Sequence, residues 1–342
     1  MSPFKALTLN KNVVTSTFNE RQIMTETAQQ DKLPIAKGST EEISSHVGDH
    51  DGSVSSNDKL ARLVGKIDKS DISSIKQVVT KLVEIINDPN SGAKELKDVI
   101  DKDPPLSARL LKRANSAYYG YRRKIHAIQD AIVCVGFNTV RELAISQKVS
   151  EVFQDNSSYE DYSRPALWEH SFAVALCSKL TYTKEFRQPG ENIYVAGLLH
   201  DLGIIAEDQF LQNEFRLALE ESKRNRQNLP DTEEKTLGFN HSDIGREIAD
   251  SWEFPYELVK AIGSHHDPEK AEGESKRFIL TLYISDYVCQ RNEIGYCDAP
   301  YKKDERLYYK CLKELGIKGM AMNLIVEDVQ KKISDLKSAG WL

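Results

Sequence analysis

From Ser73 onward the apolar residues of this chain recur at steps of three and four. Ile75, Val78, Val79, Leu82, Ile85 and Ile86 fall on one face of a helix of 3.6-residue period. Asn87-Asp88-Pro89-Asn90 ends that stretch, since these residues favour turns and proline cannot continue a helix. The pattern restarts over 93–102, which stops before Pro104-Pro105, and then over 106–116, 127–135 and 139–153, with Gly136 between the last two. Pro165 stands where a first helical turn accepts proline, and the helix it opens puts His170, Val174 and Cys177 on one face. Residues 193–200 are apolar up to His200, and Gly203 lets the chain turn just after Asp201. Residues 207–235 read as a charged helix and loop. Asn240 is placed to cap a helix beginning at His241, with Ile244 and Ile248 on its face. Two more stretches follow, 256–266 and 277–291, the second with Ile279, Leu282, Asp286 and Cys289 on one stripe. Residues 304–338 read as two amphipathic helices interrupted near Gly316 and Gly319. Strand signals are scarce and no repeat is visible. Helix after helix with short polar joints predicts an all-α fold.

The first 70 residues differ in character. Residues 37–57 are rich in Ser, Gly, Asp and Glu and read as linker or tail. Asp49-His50-Asp51-Gly52 has the composition of a metal loop, but nothing nearby would fix its geometry, and a solvated tail is the better reading. A short helix over 58–67 follows. The expected organisation is a largely disordered extension (1–70), a principal domain (71–290) in two helical parts (71–155 and 156–290), and a helical C-terminal extension (291–342).

Composition narrows the function. With 342 residues and 40% hydrophobic content, the chain can bury a sizeable core. A net charge of -6 argues against a broad nucleic-acid-binding face, so nucleic acid is not an expected partner. No apolar run approaches the roughly 18 residues of a membrane-spanning helix, and residues 1–20 lack the apolar core of a signal peptide. The five cysteines are widely separated and show no metal-binding CxxC spacing. Thiols of this kind suit a reducing cytoplasm.

The candidate chemistry lies in a dispersed set: His170, His200-Asp201, His241, His265-His266 and Asp286. Taken singly, each has an ordinary explanation. A lone histidine on an apolar face is usually a satisfied core residue, and a buried Asp more often caps a helix or meets an arginine. Neighbours such as His200 and Asp201 point about 100° apart on a helix, so both reach one site only near a helix end. Jointly, burying so many polar groups without a common partner would cost several kcal/mol each. Imidazole and carboxylate are ligands for first-row transition metals, which makes a metal site the expected reading of the set.

Longer stretches carry a family resemblance. They are Asp103-Pro104-Pro105-Leu106-Ser107-Ala108-Arg109-Leu110-Leu111, Ala114-Asn115-Ser116-Ala117-Tyr118-Tyr119-Gly120, and Ala131-Ile132 leading to Gly136. Leu167-Trp168-Glu169-His170-Ser171 and Ala196-Gly197-Leu198-Leu199-His200-Asp201-Leu202-Gly203 continue it. Asn240-His241 before Gly245, Trp252 before Pro255, and His265-His266 close it. From Ser74 to about Val288 the chain resembles an HDOD domain, a helical branch of the HD superfamily of metal-dependent phosphohydrolases. The resemblance implies an HD-like core behind an N-terminal helical subdomain. It implies that His170, His200, Asp201 and Asp286 hold one divalent ion and that His241, His265 and His266 hold a second, with Asp201 bridging. Iron or manganese would come ahead of magnesium, nickel or zinc. His200 and Asp201 are the expected catalytic pair if the protein is an enzyme. Two departures separate it from the related HD-GYP enzymes, which hydrolyse cyclic di-GMP. Ile204 stands where they carry a lysine, and Asp267-Pro268-Glu269-Lys270-Ala271 replaces their Gly-Tyr-Pro segment. The missing cation removes charge stabilisation that phosphoryl transfer uses. Two functions are therefore expected side by side: a bacterial signalling regulator that keeps its metal site and binds a partner protein or nucleotide, and a two-metal phosphohydrolase. For Asn115 and its tyrosines, a helix cap with Tyr118, Tyr119 and Tyr121 packed below is preferred to a ligand pocket. For Arg122-Arg123-Lys124, a solvated loop is preferred to a nucleotide contact.

Overall fold

In the computed structural model, which describes residues 55–154, 158–159, 162–298 and 304–339, helices carry nearly all of the chain. The helices before the first strand are α1 Ser56–Ile67, α2 Asp71–Ser74, α3 Lys76–Asn87, α4 Ala93–Asp101, α5 Pro104–Ala114, α6 Ile128–Val135 and α7 Phe137–Val149. Then come α8 Arg164–Glu185, α9 Glu191–Leu199, α10 Leu202–Phe210, α11 Gln212–Asn225, α12 Leu229–Leu237 and α13 His241–Ser251. The last four are α14 Tyr256–Ser264, α15 Lys276–Arg291, α16 Glu305–Leu315 and α17 Gly319–Ser338. A two-residue antiparallel pairing, Ser158–Tyr159 with Tyr162–Ser163, is the strand content among the described residues. The fold is all-α, as the spacing of apolar residues predicts.

Local chemistry sets the helix boundaries. Asp103 caps α5 by accepting from the Leu106 amide, with Pro104 and Pro105 in the first turn where no intrahelical donor is needed. Ser163 does the same for α8, accepting from Ala166 ahead of Pro165. Asn240 and Asp243 form a reciprocal capping box that starts α13 at His241. α7 begins at Phe137, two positions before the predicted start, because Gly136 takes φ +98° and re-aims the chain abruptly.

The described residues belong to one compact unit, 53–342; the other, 1–52, lies outside the described residues, as does the Asp49–Gly52 loop. In the folded unit α3–α7 pack together, and α7 and α3 abut α9. α8 is the central element, lying against α9, α15 and α17. α1 rests on α10 and α13 with Leu60, Leu63 and Ile67 buried, so the short helix expected over 58–67 packs against the same unit as the helices after residue 71. α16 packs on α15.

The stretch 207–235 is not merely charged surface. Glu207, Asp208 and Glu233 are buried. Asp208 accepts from Arg164 Nε at 2.5 Å, and the hydroxyl of Tyr162 lies 3.3 Å from it. Charge patterning hid these acids because their partners come from remote segments. Gly203 also has a different role from the turn expected of it. It lies inside α10, where a Cβ would sit 1.9 Å from the carbonyl oxygen of His241. Its missing side chain lets α10 approach the start of α13.

Candidate metal centre

Asp201 occupies the break between α9 and α10. His200 is the C-cap of α9 and Asp201 the N-cap of α10, so these chain neighbours escape the helical angle that would splay them apart. α8 supplies His170, the first residue of α13 is His241, and His265-His266 follow α14 directly. α15 supplies Asp286. All seven predicted residues converge. Asp201 Oδ2 lies 3.1 Å from His200 Nε2 and 3.8 Å from His170 Nε2. Asp201 Oδ1 lies 3.6 Å from both His241 Nε2 and His265 Nε2. Asp286 Oδ1 is 2.9 Å from His170 Nε2 and 3.9 Å from His200 Nε2. His266 Nε2 approaches His241 Nε2 to 2.8 Å. The two oxygens of Asp201 thus face two separate groups of imidazoles, His170 with His200 and His241 with His265 and His266.

In four of the five histidines Nε2 points inward because the other nitrogen is engaged elsewhere. Nδ1 of His200 lies 2.8 Å from the Gly197 carbonyl, that of His265 lies 2.7 Å from Ile262, and that of His170 lies 3.3 Å from Ile294. His241 Nδ1 meets the Glu233 carboxylate at 2.8 Å, which also accepts from the His241 amide at 3.0 Å. Metal-binding histidines are oriented by outward partners of this kind.

Electrostatics follow the geometry. Burial alone would raise the Asp201 carboxyl, but His200, His265 and His241 outweigh it and hold it well below the usual range. Burial likewise opposes ionisation of Asp286, while His170 and His200 bring it to about 2. Desolvation disfavours the charged His170, yet Asp286, Asp201 and Asp298 raise it to about 9. His241 is lifted against burial to about 10, chiefly by Glu233. Burial and the neighbouring His266 lower His265 to about 4, so it is neutral at pH 7 with its lone pair free. A divalent cation fits this donor set. His200 Nε2, His265 Nε2 and Asp201 Oδ1 are buried without a hydrogen-bond partner, although such atoms are nearly always bonded in folded proteins.

Four residues of the site escaped sequence reasoning. Glu233 orients His241 from α12. Glu207, fully buried, has its carboxyl pushed well above the normal range by burial and by Glu233. Gln290 donates to both oxygens of Asp286, at 2.9 and 3.1 Å, and also to Asp298. Asp298, 3% exposed, follows α15 on the chain, with Oδ2 3.3 Å from His266 Nε2. Gln290 had a readable signal, lying one helical turn after Asp286; Asp298, in an irregular segment, had none.

A cavity of about 1080 Å³ opens beside the site, reaching His266, Asp286 and Gln290. Tyr283 and Tyr287 line it, and Asp231, Glu234, Asp267 and Asp304 outnumber Lys235 and Lys270 on its walls. The other candidates are structural. Asn115 donates to the carbonyls of Leu111 and Ile125, each at 2.8 Å, and accepts from the Ile125 amide at 2.7 Å, pinning the loop after α5. Tyr118 and Tyr121 are 41% and 44% exposed rather than packed beneath it, because the loop runs along the surface. Arg122, Arg123 and Lys124 are exposed.

Among the described residues no helix is long and apolar enough to cross a membrane. Comparison with known proteins places the chain. A crystal structure of an HDOD domain protein of unknown function from Geobacter sulfurreducens superposes with a TM-score of 0.65 at 25% identity, covering 77% of this chain and 90% of that one. A candidate phosphohydrolase from Shewanella amazonensis SB2B gives a TM-score of 0.57 at 25% identity, over 79% of this chain and 94% of that one. An uncharacterised Treponema pallidum protein is 28% identical over 225 residues, 63% of this chain, and the match spans only 42% of that relative's length. The His/Asp cluster and the phosphohydrolase likeness together suggest divalent metal binding. The HDOD domain sequence model matches residues 72–268, more than half of the chain, and the protein therefore belongs to the HDOD domain family.

Proposed function

We propose that this protein is a cytoplasmic HDOD-type regulator of bacterial signalling that has kept an HD-type metal site. One observation carries the metal reading: five imidazole Nε2 atoms and both oxygens of Asp201 converge in a buried space, with three of these atoms lacking a hydrogen-bond partner. His170, His200, Asp201 and Asp286 would hold one ion; His241, His265, His266 and the shared Asp201 would hold a second. Iron and manganese suit this mixed imidazole and carboxylate set. The N-terminal helices and the helical surface would engage a partner protein or nucleotide. The test is elemental analysis of protein purified without chelator. Two ions per chain are expected, and less than one would defeat the reading.

A second reading, a metal-dependent phosphohydrolase, draws support from the cavity beside His266 and Asp286. Ions bound there would supply Lewis-acid polarisation of a phosphate ester and charge stabilisation. The chain's own part would be positional. Asp201 and His200 would be the catalytic pair, buried behind the His266 and Asp286 that line the cavity, Gln290 and Glu233 would hold the surrounding groups in place, and Tyr283 and Tyr287 form an aromatic wall. Acidic walls repel a phosphate unless cations offset them, so turnover would depend strictly on metal. A panel of phosphodiesters and phosphomonoesters, assayed with manganese or ferrous iron, decides between the two. Hydrolysis at ordinary enzymatic rates that is lost in His200→Ala would favour the enzyme over the regulator.

A further inference from the structure

We propose that Asp298 is an additional metal ligand on the His241–His266 side, delivered by a clasp formed from Ile294–Asp298. This rests on the two-ion reading above. Asp298 lies beyond the residues matched by the family model, which ends at 268.

The clasp is anchored at both ends. The Ile294 carbonyl receives His170 Nδ1 at 3.3 Å, and the Tyr296 amide donates to the Ala166 carbonyl at 2.9 Å. Gly295 takes φ +75°, and a Cβ there would come within 2.4 Å of the His170 nitrogen, so the segment lies flush on α8. At the far end the Asp298 carbonyl accepts from the amide of Leu229, the first residue of α12, which also carries Glu233. The backbone thus runs from the His170 side of the site to the His241 side.

The Asp298 side chain is used unequally. Oδ1 accepts from Gln290 Nε2 at 2.5 Å. Oδ2 is buried with no hydrogen-bond partner, yet lies 3.3 Å from His266 Nε2 and 3.8 Å from His241 Nε2. Buried polar atoms are nearly always hydrogen-bonded, so an unbonded oxygen that faces imidazole nitrogens is placed to meet a shared cation. One oxygen here is fixed and the other is aimed at the imidazole nitrogens, the disposition of an oriented ligand. Its charge matters as well. Apart from a share of Asp201, this side offers only imidazoles, and a second carboxylate tilts it toward oxygen-preferring ions such as manganese.

The test compares wild type, Asp298→Asn and Gln290→Leu, each chelated, reloaded with Mn²⁺, and measured for stoichiometry by elemental analysis and for affinity by competition with a fluorescent chelator. Asparagine keeps the acceptor for Gln290 and the backbone contact but loses the charge. It is expected to retain about one ion instead of about two, with the second bound at least ~10-fold more weakly. Gln290→Leu keeps the carboxylate and should hold the second ion with a smaller loss. Two ions at unchanged affinity in Asp298→Asn would overturn the proposal. So would a loss in Gln290→Leu as large as in Asp298→Asn, because Asp298 would then act only through Gln290. A wild type that takes up no ion defeats the metal-site reading itself, a separate outcome.

Discussion

Replacing Asp201 by asparagine keeps the shape of the side chain but removes its charge and turns one ligand oxygen into an NH₂ donor. In the wild type the two oxygens lie 3.1–3.8 Å from four imidazole nitrogens, so each faces a position that a cation would take. A unit charge about 4 Å from another contributes about 4 kcal/mol at an effective dielectric of 20. That corresponds to about a thousandfold in affinity. At a free metal concentration of about a thousand times the wild-type Kd, binding stabilises the fold by about 4 kcal/mol. Asp201→Asn at the same concentration sits near its own Kd and gains only about 0.4 kcal/mol. With 2–4 °C per kcal/mol for a domain of this size, metal should raise the wild-type Tm by roughly 10 °C and that of the variant by about 1 °C. Differential scanning calorimetry of chelated and Mn²⁺-loaded samples reads both. The chelated variant should melt only slightly below the chelated wild type, since neighbouring imidazoles can shed protons when the carboxylate charge is gone. A metal-induced rise in Asp201→Asn equal to that of the wild type would remove Asp201 from the site and refute the reasoning.

Other outcomes follow from the same geometry. His170→Ala should lower metal content, and unchanged occupancy would reject its place as a ligand. Protons on His170 and His241, held to about 9 and about 10, compete with cations for the same nitrogens. Metal affinity should therefore climb as pH rises from 6 to 9 with net proton release, which calorimetric titration in buffers of different ionisation enthalpy detects; a flat profile contradicts it. Glu207 has a folded-state pKa raised by burial and by Glu233, so its contribution to stability is fully present below the ordinary glutamate range and is lost as pH rises through the raised value. Glu207→Gln mimics the protonated form, and its Tm relative to wild type should improve as pH rises above the ordinary glutamate range; parallel curves would show that the proton is not held there. Gly203→Ala should cost more than about 3 kcal/mol, because backbone rather than a movable side chain blocks the new Cβ, and soluble protein with near-normal melting would disprove the close approach of α10 and α13.

Much was legible in the chain alone. The 3.6-residue period over 75–86, the cap at Asn240, the first-turn Pro165 and the proline breaks located helices because those signals are local: they depend on a few neighbouring residues and on backbone geometry. The candidate ligands were legible for a different reason. Histidine and aspartate on apolar helical faces are costly unless something binds them, so their presence alone flags a site. Their meeting at Asp201 was implied by the family resemblance and not by residue spacing, since it depends on how α8, α9, α13, α14 and α15 pack. Glu207 and Glu233 read as part of a charged helix and loop in sequence, and Asp298 carried no signal at all. Only the fold brings Glu233 beneath His241 and threads Ile294–Asp298 across the site, because the desolvation and pairing that set a carboxylate's role come from residues far away along the chain.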